Sequence, residues 1–486
     1  MNFVFFIPDE LRAESVGCYG HPLAPTPTMD RLADEGTRFA QCHVQHTVCS
    51  PSRCAFMTGW YPHVRGHRTL WHLLQPDEPN LLRSLKEAGY HVYWGGKNDL
   101  LAPESFAASV TDCRLGDRSR RAMPGPKGPI LPPWSFDDPR YYSFLSEPVV
   151  ECVEQLSDFR NVDGAIALLR SRPPEPFVIY LPLSLPHPPY CAPPPWQTRY
   201  DPADIPPLRP ADLPNKPDFH ALIRRSRRLD HLDDSVMRQI NAVYLAMTGV
   251  TDMLLGQLLD ALDETGLADD TAVFCFSDHG DWAGDYGLVE KWPSALDDTL
   301  TRVPFIARVP GMATGHIVEE PIELLDFMAT ALELAAVPAR HTHFSRSLVP
   351  QLRGEAGDGD RAVFAEGGYD PHEPHCFEGR PGRSPLGTHP RGIYYPKAML
   401  QQERPESVCR AVMVRTAMHK LIYRRDGVSE LYDLEVDARE EQNIYGTAAI
   451  GPVQHALERA LLDWYLRTSD VTPWGENPRD MPVAVG

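Results

Sequence analysis

Three short apolar runs constrain this chain more than anything else in it. Residues 3–7, 177–181 and 271–276 are almost unbroken in hydrophobic side chains. Each soon gives way to a polar residue capable of chemistry: Asp9, His187 and Asp278. Apolar runs of this length without alternation suit strands buried on both faces of a sheet. In an open α/β sheet, ligands bind beyond the carboxyl ends of such strands. The pattern predicts one shared site assembled from segments far apart in sequence.

The intervening segments supply the helices and strands that such a sheet needs. A helix is expected at 28–35, with Thr26 or Thr28 as its cap. Another should begin just after Cys49, where Ser50-Pro51-Ser52 offers a cap residue and an early proline. Residues 81–88 suit a helix and 91–94 a strand. A long helix is expected at 236–264, with Leu254, Leu255, Leu258, Leu259 and Leu262 as its apolar stripe. Residues 116–140, 201–220 and 369–393 are rich in proline and polar residues, and are expected to be irregular. Strands are expected at 411–416, 419–423 and 429–434, and a terminal helix at 452–467. The fold class read from these elements is α/β over residues 1–395. A smaller α+β domain, with an antiparallel sheet and the terminal helix, follows at 396–486.

Charge narrows the partners. Lys plus Arg is 47 and Asp plus Glu is 66, a formal net charge of −19. That argues against a nucleic-acid binder, and means that any anion site must be built locally. No stretch approaches the roughly 18 apolar residues of a membrane span. Met1 leads straight into an apolar run too short for a secretory signal and without a basic start. The ten cysteines are scattered without a CxxC pair. Reduced thiols and a cytoplasmic location are the resulting expectation.

The strongest motif is Cys49-Ser50-Pro51-Ser52-Arg53-Cys54-Ala55-Phe56-Met57-Thr58-Gly59. It resembles the signature of the formylglycine-dependent sulfatases: C-x-P-S-R, three residues, Leu or Met, then Thr-Gly. Asp9-Glu10 and Asp278-His279 resemble that family's two metal-binding pairs. Ser277-Asp278-His279-Gly280-Asp281, Gly284-Asp285-Tyr286-Gly287-Leu288 and Lys291 resemble its S-D-H-G-D…G-D-H-G-L…K run. Pro186-His187-Pro188-Pro189 resembles its P-H-x-P segment. Gly96-Lys97-Asn98-Asp99 resembles its G-K-x-H, with aspartate where the histidine would be. Glu430-Leu431-Tyr432-Asp433-Leu434 resembles its tail segment.

The resemblance implies an alkaline-phosphatase-like fold, a mixed, mostly parallel sheet flanked by helices, and hydrolysis of a small-molecule or carbohydrate sulfate ester. It implies that Cys49 is oxidised to formylglycine by a formylglycine-generating enzyme. It implies one divalent metal held by Asp9, Glu10, Asp278 and His279: calcium first, with magnesium or manganese as alternatives. Glu10 is the least standard of these ligands. Arg53 would stabilise the nucleophile, Lys97 and Lys291 would contact the sulfate, and His187 would assist the leaving oxygen. A helix N-terminus suits such a nucleophile because its free N–H groups favour anions.

Other features carry weaker expectations. His67 and His72 follow the cysteine helix and are expected to line the pocket, one of them filling the place of the missing histidine. The alternatives there are that Asp99 itself acts, or that it pairs with Lys97 and positions it. Arg224-Arg225-Ser226-Arg227-Arg228 is expected to be a solvated loop, and His372, His375 and His389 to belong to an irregular connection. Two other functions stay open: hydrolysis of phosphonate monoesters or phosphodiesters with the same nucleophile, and a homologue that binds sulfated ligands without turning them over.

Overall fold

The computed structural model describes residues 1–24, 26–113, 131–379, 389–476 and 479. Much of the excursion expected at 116–140, and part of that at 369–393, lies outside these residues.

The strands of the large sheet are β1 (Asn2–Ile7), β2 (Thr37–His43), β3 (His91–Trp94), β4 (Asp112–Cys113), β5 (Phe177–Pro182), β6 (Thr271–Phe276), β7 (Arg302–Val303), β8 (Phe305–Arg308) and β9 (His316–Glu323). Their order is β4-β3-β5-β1-β6-β8-β2-β7, with β9 added on β2. The three apolar runs are adjacent: β1 lies between β5 and β6, parallel to both. Every residue of these three strands is buried. The sheet turns antiparallel only around β8 and β7.

Apolar layers cover both faces. On one, Phe56 of the helix Cys49–Thr58 meets Phe276 and Phe327 edge-on, within a cluster of buried phenylalanines. On the other lies the helix Asp234–Thr265, whose leucine stripe packs on β1, β5 and β6. That helix is long and apolar enough to cross a membrane by composition alone, but most of it is buried inside the protein.

The second sheet is antiparallel, in the order β10 (Val363–Gly367), β11 (Ala411–Arg415), β12 (His419–Arg424) and β13 (Glu430–Asp433). Its edge strand β10 comes from well before residue 395, so the two layers are laced together in sequence. The terminal helix Gly451–Thr468 packs Leu457, Leu461 and Trp464 on this sheet.

A buried charge network joins the two sheets. The Lys420 ammonium on β12 contacts Asp298 at 2.8 Å and Glu440 at 2.5 Å. Lys216 reaches Asp297 at 3.1 Å, and Arg424 reaches Glu430 at 2.7 Å. Breaking such a pair from one side strands a charge in a dry site. Lys420→Met is therefore expected to cost about 3 kcal/mol of stability, read by thermal denaturation. A loss under about 1 kcal/mol would mean that Arg415, 3.5 Å from Asp298, suffices by itself.

Candidate active site

Cys49 opens its helix from the first turn. Val48 is extended, and Ser52 donates its N–H to the Val48 carbonyl at 3.1 Å. The cysteine sulfur therefore sits at the positive end of a ten-residue buried helix, facing the carboxyl ends of β1 and β6.

Three residues close around that sulfur. His279 Nε2 is 3.2 Å away, Asp9 Oδ1 3.4 Å and Lys97 Nζ 4.0 Å. Arg53, one turn into the helix, donates to Asp278 Oδ2 at 2.8 Å and lies 3.5 Å from Asp9 Oδ2. Ser52 ties the helix to the end of β6, donating to the Asp278 carbonyl at 2.6 Å. Lys97 pairs with Asp9, and Lys291 with Glu10.

Local backbone geometry brings these groups together. Gly96 lies so close to β5 that a Cβ there would sit 2.1 Å from the Pro182 carbonyl oxygen; Lys97 N–H then donates to that oxygen at 2.9 Å. Gly280 likewise lets the chain after His279 pass Thr299, whose carbonyl oxygen would be 2.0 Å from a Cβ. Glu10 has a left-handed φ of 66°, unusual for a side chain of its type. Its N–H donates to Asp278 Oδ1 at 3.3 Å, and its carbonyl accepts from the Tyr244 hydroxyl. These bonds over-determine the turn and hold its strain.

The electrostatics follow from burial and pairing. Burial works to raise the Asp9 carboxyl, yet Lys97 and Arg53 hold it well below the usual carboxylate range. Burial pushes the Glu10 carboxyl up against the pull of Lys291, with Asp281 and Asp9 adding to the rise. Burial and then Asp9 push the Cys49 thiol up, so the sulfur as it stands is not an activated thiolate. His279 is drawn down to about 4, chiefly by burial. Its Nδ1 bonds the Gly280 carbonyl at 2.9 Å, which leaves the Nε2 lone pair turned to the sulfur.

Asp9, Glu10, Cys49 and His279 present ligand atoms within 4.8 Å of one another. Glu10 Oε2 is buried and has no hydrogen-bond partner among the described residues. Carboxylates in this number, with an imidazole lone pair and an unsatisfied oxygen, fit a divalent cation. Asp278 borders the cluster, its Oδ2 3.9 Å from His279 Nε2.

His187 stands on the open side. Its Nδ1 bonds the Pro188 carbonyl at 2.6 Å; its Nε2 lies 3.1 Å from Glu10 and 3.3 Å from the Lys291 ammonium. The loop carrying it is fixed by Asp158, which accepts from the N–H groups of Ser184 and Leu185 at 2.8 and 2.7 Å. Asp9 N–H in turn donates to the Leu185 carbonyl at 3.0 Å.

The structure thus gathers Asp9, Glu10, Cys49, Arg53, Lys97, His187, Asp278, His279 and Lys291 in one site. It does not put His67 beside Lys97. Both His67 nitrogens are taken, by Glu78 at 2.9 Å and by the His72 carbonyl at 2.8 Å. His72 bonds the Thr69 hydroxyl at 2.8 Å and stands edge-on to His375. Asp99 itself stands next to Lys97, at 2.8 Å. Arg227 also departs from the solvated loop expected of it. It is buried and reaches Glu290 at 3.2 Å, directly behind Lys291, while Lys397 holds the same carboxylate at 2.8 Å. Glu290, Asp281, Lys397 and Asp158 support the site without having been singled out. Only Asp281 lay inside a motif, and nothing in the sequence pairs the others with it.

A sequence model of the family described as Sulfatase matches residues 1–337. A multifunctional alkaline phosphatase superfamily protein, PehA, from Trinickia caryophylli is 25% identical over 96% of this chain and 94% of its own length. Arylsulfatase K from Danio rerio is 25% identical over 72% of this chain and 68% of its own. Among solved structures, a phosphonate monoester hydrolase of Agrobacterium radiobacter superposes with a TM-score of 0.77 at 20% identity, over 96% of each chain.

Proposed function

The chain belongs to the sulfatase family, and on that premise we propose that it hydrolyses a small-molecule or carbohydrate sulfate monoester with a nucleophile made by oxidising Cys49 to formylglycine. The observation that carries this reading is the position of the Cys49 sulfur. It lies at a buried helix N-terminus, within 4.0 Å of Asp9, His279 and Lys97.

Asp9, Glu10, Asp278 and His279 would hold one divalent cation; the majority of carboxylates favours calcium, magnesium or manganese. Such an ion, when bound, acidifies the nucleophile and offsets charge developing on the ester oxygens. The chain's own residues do the rest. Arg53 holds Asp278 and faces the nucleophile from its own helix. Lys97, paired with Asp9, and Lys291, paired with Glu10, both reach the site and bind the anionic group. His187, anchored through Nδ1, offers Nε2 next to Lys291, where the two can hold a proton for the departing alcohol oxygen. The Asp158 clamp orients that loop.

The test is a panel of matched 4-nitrophenyl sulfate, phenylphosphonate monoester and phosphodiester substrates on fully modified, metal-loaded enzyme. The sulfate is expected to have the highest kcat/KM. A tenfold or greater preference for the phosphonate or the diester would replace this reading with the alternative that the likeness to the phosphonate monoester hydrolase raises.

A further inference from the structure

We propose that Asp99 sets the charge this site accepts, favouring singly charged tetrahedral esters over doubly charged ones; the inference rests on the reading of the site as an ester hydrolase. The charged groups around Cys49 fall into two layers. The side chains of Asp9, Glu10, Asp278 and Arg53 are wholly buried, and that of Lys291 is 3% exposed. Lys97 and Asp99 are 24% and 26% exposed. Asp99 is therefore among the last charges that an arriving anion meets. It is joined to the nucleophile through one ammonium: Asp99 Oδ2 is 2.8 Å from Lys97 Nζ, which is 4.0 Å from the Cys49 sulfur.

A lysine with its own carboxylate presents a smaller net field than a lysine alone. Burial opposes ionisation of Asp99, but Lys97 and Arg53 hold its carboxyl below its ordinary range, so the charge is present at neutral pH. Around the nucleophile, the four carboxylates Asp9, Glu10, Asp278 and Asp99 face the three cations Arg53, Lys97 and Lys291. A divalent ion bound by ionised ligands leaves the assembly one charge positive. A sulfate monoester neutralises that; a phosphate monoester dianion overshoots it. With Asp99 made neutral, the balance moves one unit toward the dianion. Because Asp99 is partly exposed, solvent screens the effect. The expected discrimination is about tenfold, well below what an unscreened charge would give.

The experiment compares wild type with Asp99→Asn, Asp99→Ser and Asp99→Glu, each metal-loaded, modified and checked by thermal denaturation. Rates are measured on 4-nitrophenyl sulfate and 4-nitrophenyl phosphate at about pH 8, above the second phosphate ionisation near 6. Affinities for benzenesulfonate and phenylphosphonate, which differ by one charge and are not turned over, are measured by calorimetry at the same pH. Asp99→Asn and Asp99→Ser should each raise both the phosphate-to-sulfate kcat/KM ratio and the phosphonate-to-sulfonate affinity ratio about tenfold. Asp99→Glu, which keeps the charge, should leave both within about twofold. Equal losses on both members of each pair, or no change, would overturn the proposal and leave Asp99 as only a positioning partner of Lys97. If wild type hydrolyses neither ester, the functional reading falls, and the two affinities still decide the role of Asp99.

Discussion

Cys49→Ala is expected to lower turnover by a factor on the order of 10⁴ or more, the scale seen when a covalent nucleophile is removed, while the fold survives. The cysteine contributes one small side chain at the first turn of a helix whose anchoring lies elsewhere. Phe56 and Met57 hold the helix in the aromatic core, and Ser52 and Arg53 tie it to Asp278. Truncating the thiol removes one sulfur from a polar site and leaves those ties intact. The chemistry has no substitute. Lys97, Asp9 and His279 point at the sulfur but are already engaged with one another, and the thiol is held protonated by burial and by Asp9. The matching measurement on wild type is mass spectrometry of the peptide containing residue 49, from a host that carries the modifying enzyme. Loss of the thiol and gain of an aldehyde is the expected result. Active enzyme carrying only unmodified cysteine would sink the formylglycine reading, as would an alanine variant with more than about a hundredth of wild-type activity.

The site could be read from sequence to the extent that chemistry was concentrated at strand ends. Strands β1, β5 and β6 are buried on both faces, so their composition announces them, and the polar residues that end them had to cluster. Elements whose residues serve two masters were missed. Strand β9 contains Glu319, Glu320 and Pro321, which argue against a strand. Pro321 is tolerated because, among the described residues, β9 pairs only with β2, beside an irregularity between Phe39 and Gln41. Strand β10 is a short apolar run in a stretch rich in glycine and charge, and its partner β11 is distant in sequence; local pattern cannot supply such a pairing.

Charged residues misled for a related reason. In sequence, Arg227 sits in a run of arginines that suits solvent. In the fold its guanidinium enters the core because Glu290 and the Tyr142 and Ile393 carbonyls are there to receive it. His67 and His72 follow the cysteine helix, and proximity in sequence suggested the pocket. His67 is instead spent on holding its own loop, through Glu78 and the His72 carbonyl. The departure from the family pattern at Asp99 was visible from the start. Its ion-pair partner is a side chain two residues away, Lys97, at 2.8 Å.

Chelating the divalent cation is expected to abolish turnover, by a factor on the order of 10³ or more, without unfolding the protein. A site of three carboxylates would ordinarily repel itself once its cation is removed. Here three basic side chains answer that repulsion: Lys97 pairs with Asp9, Lys291 with Glu10, and Arg53 with Asp278. Burial and neighbouring carboxylates also raise the Glu10 carboxyl, so it can take up a proton when no cation faces it. The surrounding architecture has its own supports: β1, β5 and β6 are locked by parallel pairing and by two apolar layers. Adding the cation back should raise the melting temperature in proportion to the logarithm of its free concentration above Kd, and should restore activity over the same range. Metal content measured by mass spectrometry should be one ion per chain in wild type and near zero in Asp278→Ala. Full activity in the presence of excess chelator would rule out the metal-assisted reading. Cooperative unfolding on chelation would show instead that these basic side chains do not compensate, and that the ion is part of what holds the ends of β1 and β6 together.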